Sequence, residues 1–430
     1  MLADFKNHIT DNFPELKDAP FLLALSGGID SSVLFDLFLK LDYSFDVAHC
    51  NFKLRGEESD EDSNFVMKLT KKNNKKIFIK EFKTKKYSKK NNISIQLAAR
   101  SLRYKWFSKL LKKENYLYLV TAHNLNDQLE TYLINTSRVT GLKGILGIPS
   151  NNQNIVRPLL LFKRDQILKY AIKSTLSWRE DSSNSKDDYL RNSIRNNLIS
   201  EWLNIEPMLL NNFSRTLNNL TLASSALNNI VSKFKDESFI KMDYGYSISI
   251  KELLKLIPSE YYLFEIFGPY GFTNTIDVIS LLKTQSGKNL ISKTHRLIKG
   301  RGLVFLTTIK SELKEQYSWD CKRSIKKPIN LKIILKSKLS NNFISLNKEL
   351  LKFPLTIRRW NKGDYFHPFG MNGKKKISKY FKDEKFNLIQ KEQQWLLCSD
   401  ENIVWVIGKR ADRRFLANNE CSNKIVIQCL

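Results

Sequence analysis

A chain of 430 residues is longer than one hydrophobic core sustains, so two or three domains are expected. Its 42% apolar and 27% charged residues are those of a folded protein rather than a disordered one, and no stretch approaches the roughly eighteen uncharged apolar residues of a membrane span. The 71 basic against 43 acidic residues leave a formal charge of +28, which attracts polyanions, nucleic acid first among them. Runs such as KKNNKK (71–76) and KKYSKKNN (85–92) also have a plainer reading as solvated surface.

The first residues, MLADFKNHITDNF, lack the apolar core of a signal peptide. Five cysteines, Cys50, Cys321, Cys398, Cys421 and Cys429, are scattered without a C-x-x-C pair. That argues against a disulfide framework or zinc ribbon and for a reducing, cytoplasmic setting.

From Phe21 to about Leu161, short apolar runs (FLLAL, FDVAHC, KIFIKEF, YLYLVTAH, NIVRPLLL) alternate with segments of helical period. This is the pattern of βα units building a parallel sheet, with ligands expected at the strands' carboxyl ends. The expected division is a catalytic α/β domain over 1–214, a helical domain over 215–320 and a small α+β domain over 328–430. A basic linker, KRSIKK (322–327), separates the last two, and Pro354, Gly363, Pro368, Gly370 and Gly373 punctuate turns in the last.

The first strand runs straight into Ser26-Gly27-Gly28-Ile29-Asp30-Ser31-Ser32 and then an apolar helix. Two glycines let backbone approach phosphate oxygens, the hydroxyls of Ser26, Ser31 and Ser32 can donate to them, and a helix N-terminus adds partial positive charge. The loop has neither the Walker ending nor the G-x-G-x-x-G spacing. It resembles the PP-loop of N-type ATP pyrophosphatases, which implies an adenine nucleotide alpha hydrolase-like sheet. It also implies cleavage of ATP between its α and β phosphates, with Mg2+ held on the pyrophosphate by Asp30. The expected ATP-binding set is Ser26, Gly27, Gly28, Ile29, Asp30 and Ser31. His49 and Asn51, at the end of the second strand, join it to bracket the adenosine. A capped Gly-rich turn is the competing reading of the loop, and a packed strand end that of His49.

Further on, AHNLNDQLET places Asp127 and Glu130 three apart in the first turns of a helix, on one face. Two carboxylates there complement the helix dipole. They also suit an ammonium-bearing substrate that must lose a proton before attack.

The blocks SGGIDSS, AHCNFKLRGEESDED, AARSLRYKWF, AHNLNDQLET, RVTGLKGILGIP, RPLL and DSSNSKDDYLRNSIR, in that order, resemble the catalytic domain of tRNA(Ile)-lysidine synthases. IRRWNKGDYFHPFGMNGKKKISKYF with VWVIGKRADRRF is similar to the terminal domain of that family's long form. The resemblance implies ATP-dependent attachment of free L-lysine to C2 of the wobble cytidine in a tRNA(Ile) with anticodon CAU. The reaction would pass through an adenylated cytidine and shift decoding from AUG to AUA.

By matching position, Asp127 and Glu130 would hold lysine. Arg100, and after it Arg103, would sit over the phosphates or the activated base, while Arg191 and Arg195 would line the same cleft, Arg191 toward tRNA. Phe52 stands where many relatives carry a second histidine, so any role of that histidine is absent here. In the last domain Arg358, Arg359, Lys374, Lys375 and Lys376 are candidate tRNA contacts, with Lys362 and Lys379 beside them and Trp360, Tyr365, Phe366 and Tyr380 interleaved. The alternative is that these aromatics are a small domain's core and the lysines its wet face. A homodimer is left open.

Three rivals stand beside this reading. A PP-loop tRNA thiolase would need paired thiols, and only Cys50 falls in the catalytic domain. A glutamine-dependent synthetase would need a glutaminase region. A basic RNA-binding protein with a structural nucleotide pocket would not need Asp30, Asp127 and Glu130 together.

Overall fold

The structure is a computed structural model that describes residues 1–180, 190–309, 316–334, 342–418 and 421–430. The segment DSSNSKDDY, part of one block quoted above, lies outside them. The chain forms two compact units, Met1–Asn228 and Asn229–Leu430.

As far as Thr136 the helices of the first unit are α1 (Leu2–Asn12), α2 (Glu15–Asp18), α3 (Ile29–Lys40), α4 (Glu57–Lys72), α5 (Thr84–Asn91), α6 (Ile95–Glu114) and α7 (Leu125–Thr136). They wrap strands β1 (Phe21–Ala24), β2 (Phe45–Asn51), β3 (Ile77–Glu81), β4 (Leu119–Val120), β5 (Asn151–Asn152) and β6 (Ile155–Val156). The sheet order is β3-β2-β1-β4-β6-β5, parallel except for the β5/β6 hairpin at one edge. The expected parallel α/β domain is therefore present.

Its topology fixes the site. The chain moves outward from β1 to β2 and β3, then returns to place β4 on the other side of β1. The loops leaving β1 and β4 thus diverge at a switch point, where a crevice opens at the carboxyl edge. Fully buried Phe5, Phe21 and Phe38 anchor this framework, with Phe21 and Phe38 in edge contact at 4.8 Å. Such aromatic contact adds to burial in holding β1 and α3 in fixed register, and with them the loop between.

After the helix Arg164–Lys173, residues 174–180 are irregular. A 30-residue helix, Leu209–Ser238, then runs unbroken past position 214.

The region 215–320, expected to be helical, is helical as far as Ser238 and in the second unit combines helices with a sheet. Helices Ile250–Leu254, Ser259–Phe267 and Thr275–Lys283 are present. They pack on an antiparallel sheet of β7 (Phe239–Met242), β8 (Gly245–Ser249), β9 (Asn289–Ile291), β10 (His295–Lys299) and β11 (Leu303–Thr308), ordered β7-β8-β11-β10-β9. The strands are three to six residues long and interrupted by Lys, Ser and Asn, too short to show a period of two against the flanking helical spacing.

Beyond them lie β12 (Gln316–Trp319), β13 (Leu331–Ile334), β14 (Phe343–Asn347), β15 (Leu355–Arg359), β16 (Tyr365–Phe366), β17 (Lys375–Lys376), β18 (Trp395–Ser399), β19 (Asn402–Val406) and β20 (Lys424–Cys429). These form sheets β12-β15-β18-β19, β13-β20-β14 and β16-β17. Ile389 packs with Ile298 and Phe305 of the five-stranded sheet, and Arg296 pairs with Glu392.

Candidate functional site

The loop after β1 is held open by its own side chains. Gly27 has φ +94°, a left-handed conformation that a side chain would strain. The Ser31 hydroxyl donates to the Gly28 carbonyl (3.0 Å) and lies 3.0 Å from the Ser26 hydroxyl, which accepts from the Gly28 N–H (3.2 Å). Ser32 departs from expectation: it is buried, donates back to the Gly27 carbonyl and does not line the adjacent cavity. The Ile29 side chain also points into the core, leaving only its backbone for a ligand. A latch not anticipated from sequence is Arg179, whose N–H donates to the Gly27 carbonyl (2.9 Å) while its guanidinium grips Glu61 and Asp62.

Beside this loop lies a cavity of about 220 Å³ whose lining includes Ser26, Gly28, Asp30, Ser31, Phe52 and Arg103. From β2 it takes Ala48 and Cys50, not His49 and Asn51. Alternate residues of a strand face opposite sides of the sheet, so His49 and Asn51, expected at the nucleotide site, face away from this cavity. The His49 Nδ1 donates to the Leu25 carbonyl (2.8 Å), its Nε2 meets the Ser63 hydroxyl, and burial lowers its pKa. Asn51 donates to Asp60 (2.8 Å) and Ser63. Both tie β2 to α4.

Arg100 and Arg103 exchange their expected order. Arg103 lines the cavity, its guanidinium 5.3 Å from the Phe52 ring centre, while Arg100 lies over Tyr104 in an adjoining groove. Phe52, stacked on Phe82 at 5.5 Å, therefore offers Arg103 an aromatic face where a histidine was missing. His123, at the cavity's other wall, has its pKa lowered to about 3 by burial and then by Arg157, Arg191, Arg103 and Arg100. It is neutral, and the surrounding positive field suits phosphate. Cys50 is pushed up to about 12 by burial, leaving a protonated thiol that is a poor nucleophile.

The loop after β4 joins this cavity to the two carboxylates. Asn124 caps α7: its side chain accepts from the Asp127 N–H (3.1 Å) and its N–H donates to Asp127 Oδ2 (3.0 Å), a reciprocal capping box. The Asn124 amide then donates to Asp30 Oδ1 (3.0 Å). Asn124 was missed in the sequence, although the N-x-x-D spacing before an apolar helix marks it.

Asp127 and Glu130 share one face, and Arg191 spans them, donating to Glu130 Oε2 (2.5 Å) and Asp127 Oδ1 (3.0 Å). Arg195 takes Glu130 in a two-pronged contact at 2.5 and 3.1 Å and approaches Asp127 at 3.5 Å. Glu130 is fully buried. Arg191 is thus committed to this cluster, a correction to its place on a tRNA surface. The turn Ile194–Ile199 that carries Arg195 is π-helical, a rare geometry frequent at functional sites. Burial raises the pKa of Asp30, opposed by Arg164 at 3.8 Å and reinforced by Asp127.

In the second unit the candidate tRNA contacts divide. Arg358 is locked in a two-pronged pair with Asp364 (2.7 and 3.0 Å), and Lys375 pairs with Asp383 (2.7 Å). Both are strand residues, in β15 and β17, whose charge is taken up within the fold. Arg359 lies flat over Trp395 at 3.5 Å. Lys374, 5.3 Å from the exposed Tyr365 ring, and Lys376 face solvent. Phe366 and Tyr380 are core, and Trp360 packs against them.

Among the described residues no group of three or more His, Cys, Asp or Glu side chains is arranged to hold a metal, and no helix is long and apolar enough to cross a membrane. All five cysteines are free.

Comparison with known proteins matches residues 1–202 to a PP-loop domain, 241–309 to a TilS substrate binding domain and 355–429 to a TilS substrate C-terminal domain. The chain is 36% identical to a tRNA(Ile)-lysidine synthase of Parabacteroides distasonis, over 96% of each chain. To the enzyme of the same name from Bacteroides thetaiotaomicron it is 37% identical, over 96% of this chain and 95% of that one. A third, from Porphyromonas gingivalis, is 33% identical over 93% and 91%.

Proposed function

The chain belongs to the tRNA(Ile)-lysidine synthase family, and on that premise we propose that the cavity between the β1 and β4 loops binds ATP while the adjoining Asp127 receives the side chain of free L-lysine. It is an ATP-dependent ligase of tRNA(Ile) modification. The C2 oxygen of the wobble cytidine of a CAU anticodon attacks the α-phosphorus, the bond to the bridging oxygen breaks, and pyrophosphate leaves. The lysine ε-amine, having lost a proton, then attacks C2, and AMP departs with the oxygen.

The chain's own groups divide this labour. Ser26, Ser31 and the backbone N–H groups from Gly27 to Ile29 cradle the phosphates, and Arg103 offers a permanent charge against them. Arg100 stands next to the entering base. Glu130 acts as a positioning residue: fully buried, it fixes Arg191 and Arg195, leaving the more exposed Asp127 to the ammonium and its proton. A zwitterionic amino acid brings its own carboxylate for those arginines.

Mg2+ held by one carboxylate and phosphate oxygens needs no multi-residue cluster. Asp30 supplies such a carboxylate, and the ion would neutralise charge on the leaving pyrophosphate.

A three-part division near 1–214, 215–320 and 328–430, a cytoplasmic setting and a homodimer belong to the same reading. So do tRNA contacts through Arg359, Lys374 and Lys376.

One observation carries the proposal: a single hydrogen bond, Asn124 to Asp30, couples the phosphate loop to the helix bearing Asp127 and Glu130. The test is steady-state pyrophosphate release from ATP. Turnover should require both tRNA(Ile) and lysine; sustained release with either omitted would refute the reading.

A further inference from the structure

Between Glu81 and Glu114 the sequence has no acidic residue, while Lys83, Lys85, Lys86, Lys89, Lys90, Arg100, Arg103, Lys105, Lys109, Lys112 and Lys113 all fall within it. This stretch is α5 and α6. α6 has two working faces. Ala98, Phe107, Leu110 and Leu111 are buried in the unit. A neighbouring stripe at helical spacing, Leu97, Arg100, Ser101, Tyr104, Lys105, Ser108 and Lys109, lines an open groove.

The groove and the ATP cavity share Tyr104, which lines both. The stripe is not merely a wet charged surface: Leu97 is 52% exposed within it, and Lys105 donates to the Tyr87 hydroxyl of α5 at 2.8 Å with its ammonium 5.4 Å from that ring. Cations fixed on aromatic rings beside an exposed apolar side chain suit single-stranded nucleic acid, whose phosphates need charge and whose bases need flat or apolar partners.

The reaction also demands such a path. A base buried in a stacked anticodon loop cannot present its C2 oxygen to a phosphorus inside a cavity; it must be turned out of the stack. We propose that the α6 stripe is the track for the backbone of the tRNA anticodon arm, with Arg100, Lys105 and Lys109 on successive phosphates and Tyr104 as the threshold over which the wobble cytidine swings into the cavity. This rests on the ligase reading above and adds where its RNA substrate enters. From Leu97 to Lys109 the stripe spans about 18 Å at 1.5 Å per residue, enough for several nucleotides.

The test uses the full chain with Lys105→Glu/Lys109→Glu and, as the milder form, Lys105→Ala/Lys109→Ala; neither lysine lines the ATP cavity. Anticodon stem-loop RNA is titrated by fluorescence anisotropy over a salt series, and lysidine formation is followed against tRNA concentration. The charge-reversed protein should raise the KM for tRNA about tenfold or more, with kcat within about twofold and ATP affinity unchanged. The alanine form should lower the slope of log affinity against log salt by about 1.4, near 0.7 for each lost single-strand phosphate contact.

Unchanged stem-loop affinity and slope in both variants overturn the proposal, as does a fall in kcat at unchanged KM. Failure of the parent chain to turn over lysine would instead refute the ligase reading, because stem-loop binding is measured without ATP or lysine.

Discussion

Glu130 and Asp412 are both fully buried carboxylates gripped by arginine, yet they sit in opposite kinds of surroundings. Asp412 accepts from the side chain and N–H of Arg414, two residues away, and from the N–H of His367. Its arginine comes from its own turn, and the His367 N–H, 45 residues back, completes the set by donating to Oδ2. Glu130 is held by arginines 61 and 65 residues further along the chain. One of these also reaches Asp127, whose cap in turn reaches Asp30 and the phosphate loop. A buried ion pair therefore says little about chemistry by itself. Its marks of function are arginines brought from distant sequence and a second carboxylate left partly exposed beside a cavity.

The sharpest way to break this contrast is to neutralise each carboxylate. Removing one partner of a buried pair costs about 3–5 kcal/mol, so Glu130→Gln and Asp412→Asn should both lower stability in urea titrations, by about 3 kcal/mol. Only Glu130→Gln should also cut kcat/KM for lysine, by at least about a hundredfold. Equal losses of activity in the folded fractions of both would erase the distinction.

A second contrast is one of sign. Burial raises the pKa of Asp30, so the folded chain holds that proton more tightly than the unfolded chain does. The charged carboxylate thus destabilises the fold at neutral pH, and the penalty fades as pH falls through the raised value and then through the ordinary 3.8. Asp30→Asn should have a higher Tm than the parent at pH 7, converging with it in acid, while ligation is lost. A lower Tm at pH 7 would mean that Asp30 serves the fold.

The smallest effect concerns Phe52. Phe52→Ala removes one aromatic face from Arg103, worth about 1 kcal/mol, and should weaken ATP binding about fivefold by calorimetry. No change would mean that Arg103 is seated by other contacts.

How much of this was legible in the sequence follows from the range of the forces involved. The strand-loop-helix around Ser26–Ser31 and the shared face of Asp127 and Glu130 depend on local geometry, and both could be read directly. The side of β2 that faces the cavity could not. His49 and Asn51 are polar and near the right edge, but strand parity is set by α4 and α6 packing on opposite faces, a tertiary choice. The same limit hid the exchange of Arg100 and Arg103. In the second unit, Arg358 and Lys375 look like tRNA contacts because they are basic, and their acidic partners Asp364 and Asp383 show only once the turns are closed. The sheet of β7–β11 escaped because its strands are brief.

The central claim is that Asp127 handles the amine step and not the nucleotide step, and mass spectrometry of tRNA(Ile) incubated with ATP, lysine and the Asp127→Asn protein tests it most directly. The predicted product is tRNA carrying an adenylated cytidine with little or no lysidine, at an ATP affinity equal to the parent's. Lysidine formed at the parent's rate, or loss of ATP binding with no adenylated tRNA, would contradict the account.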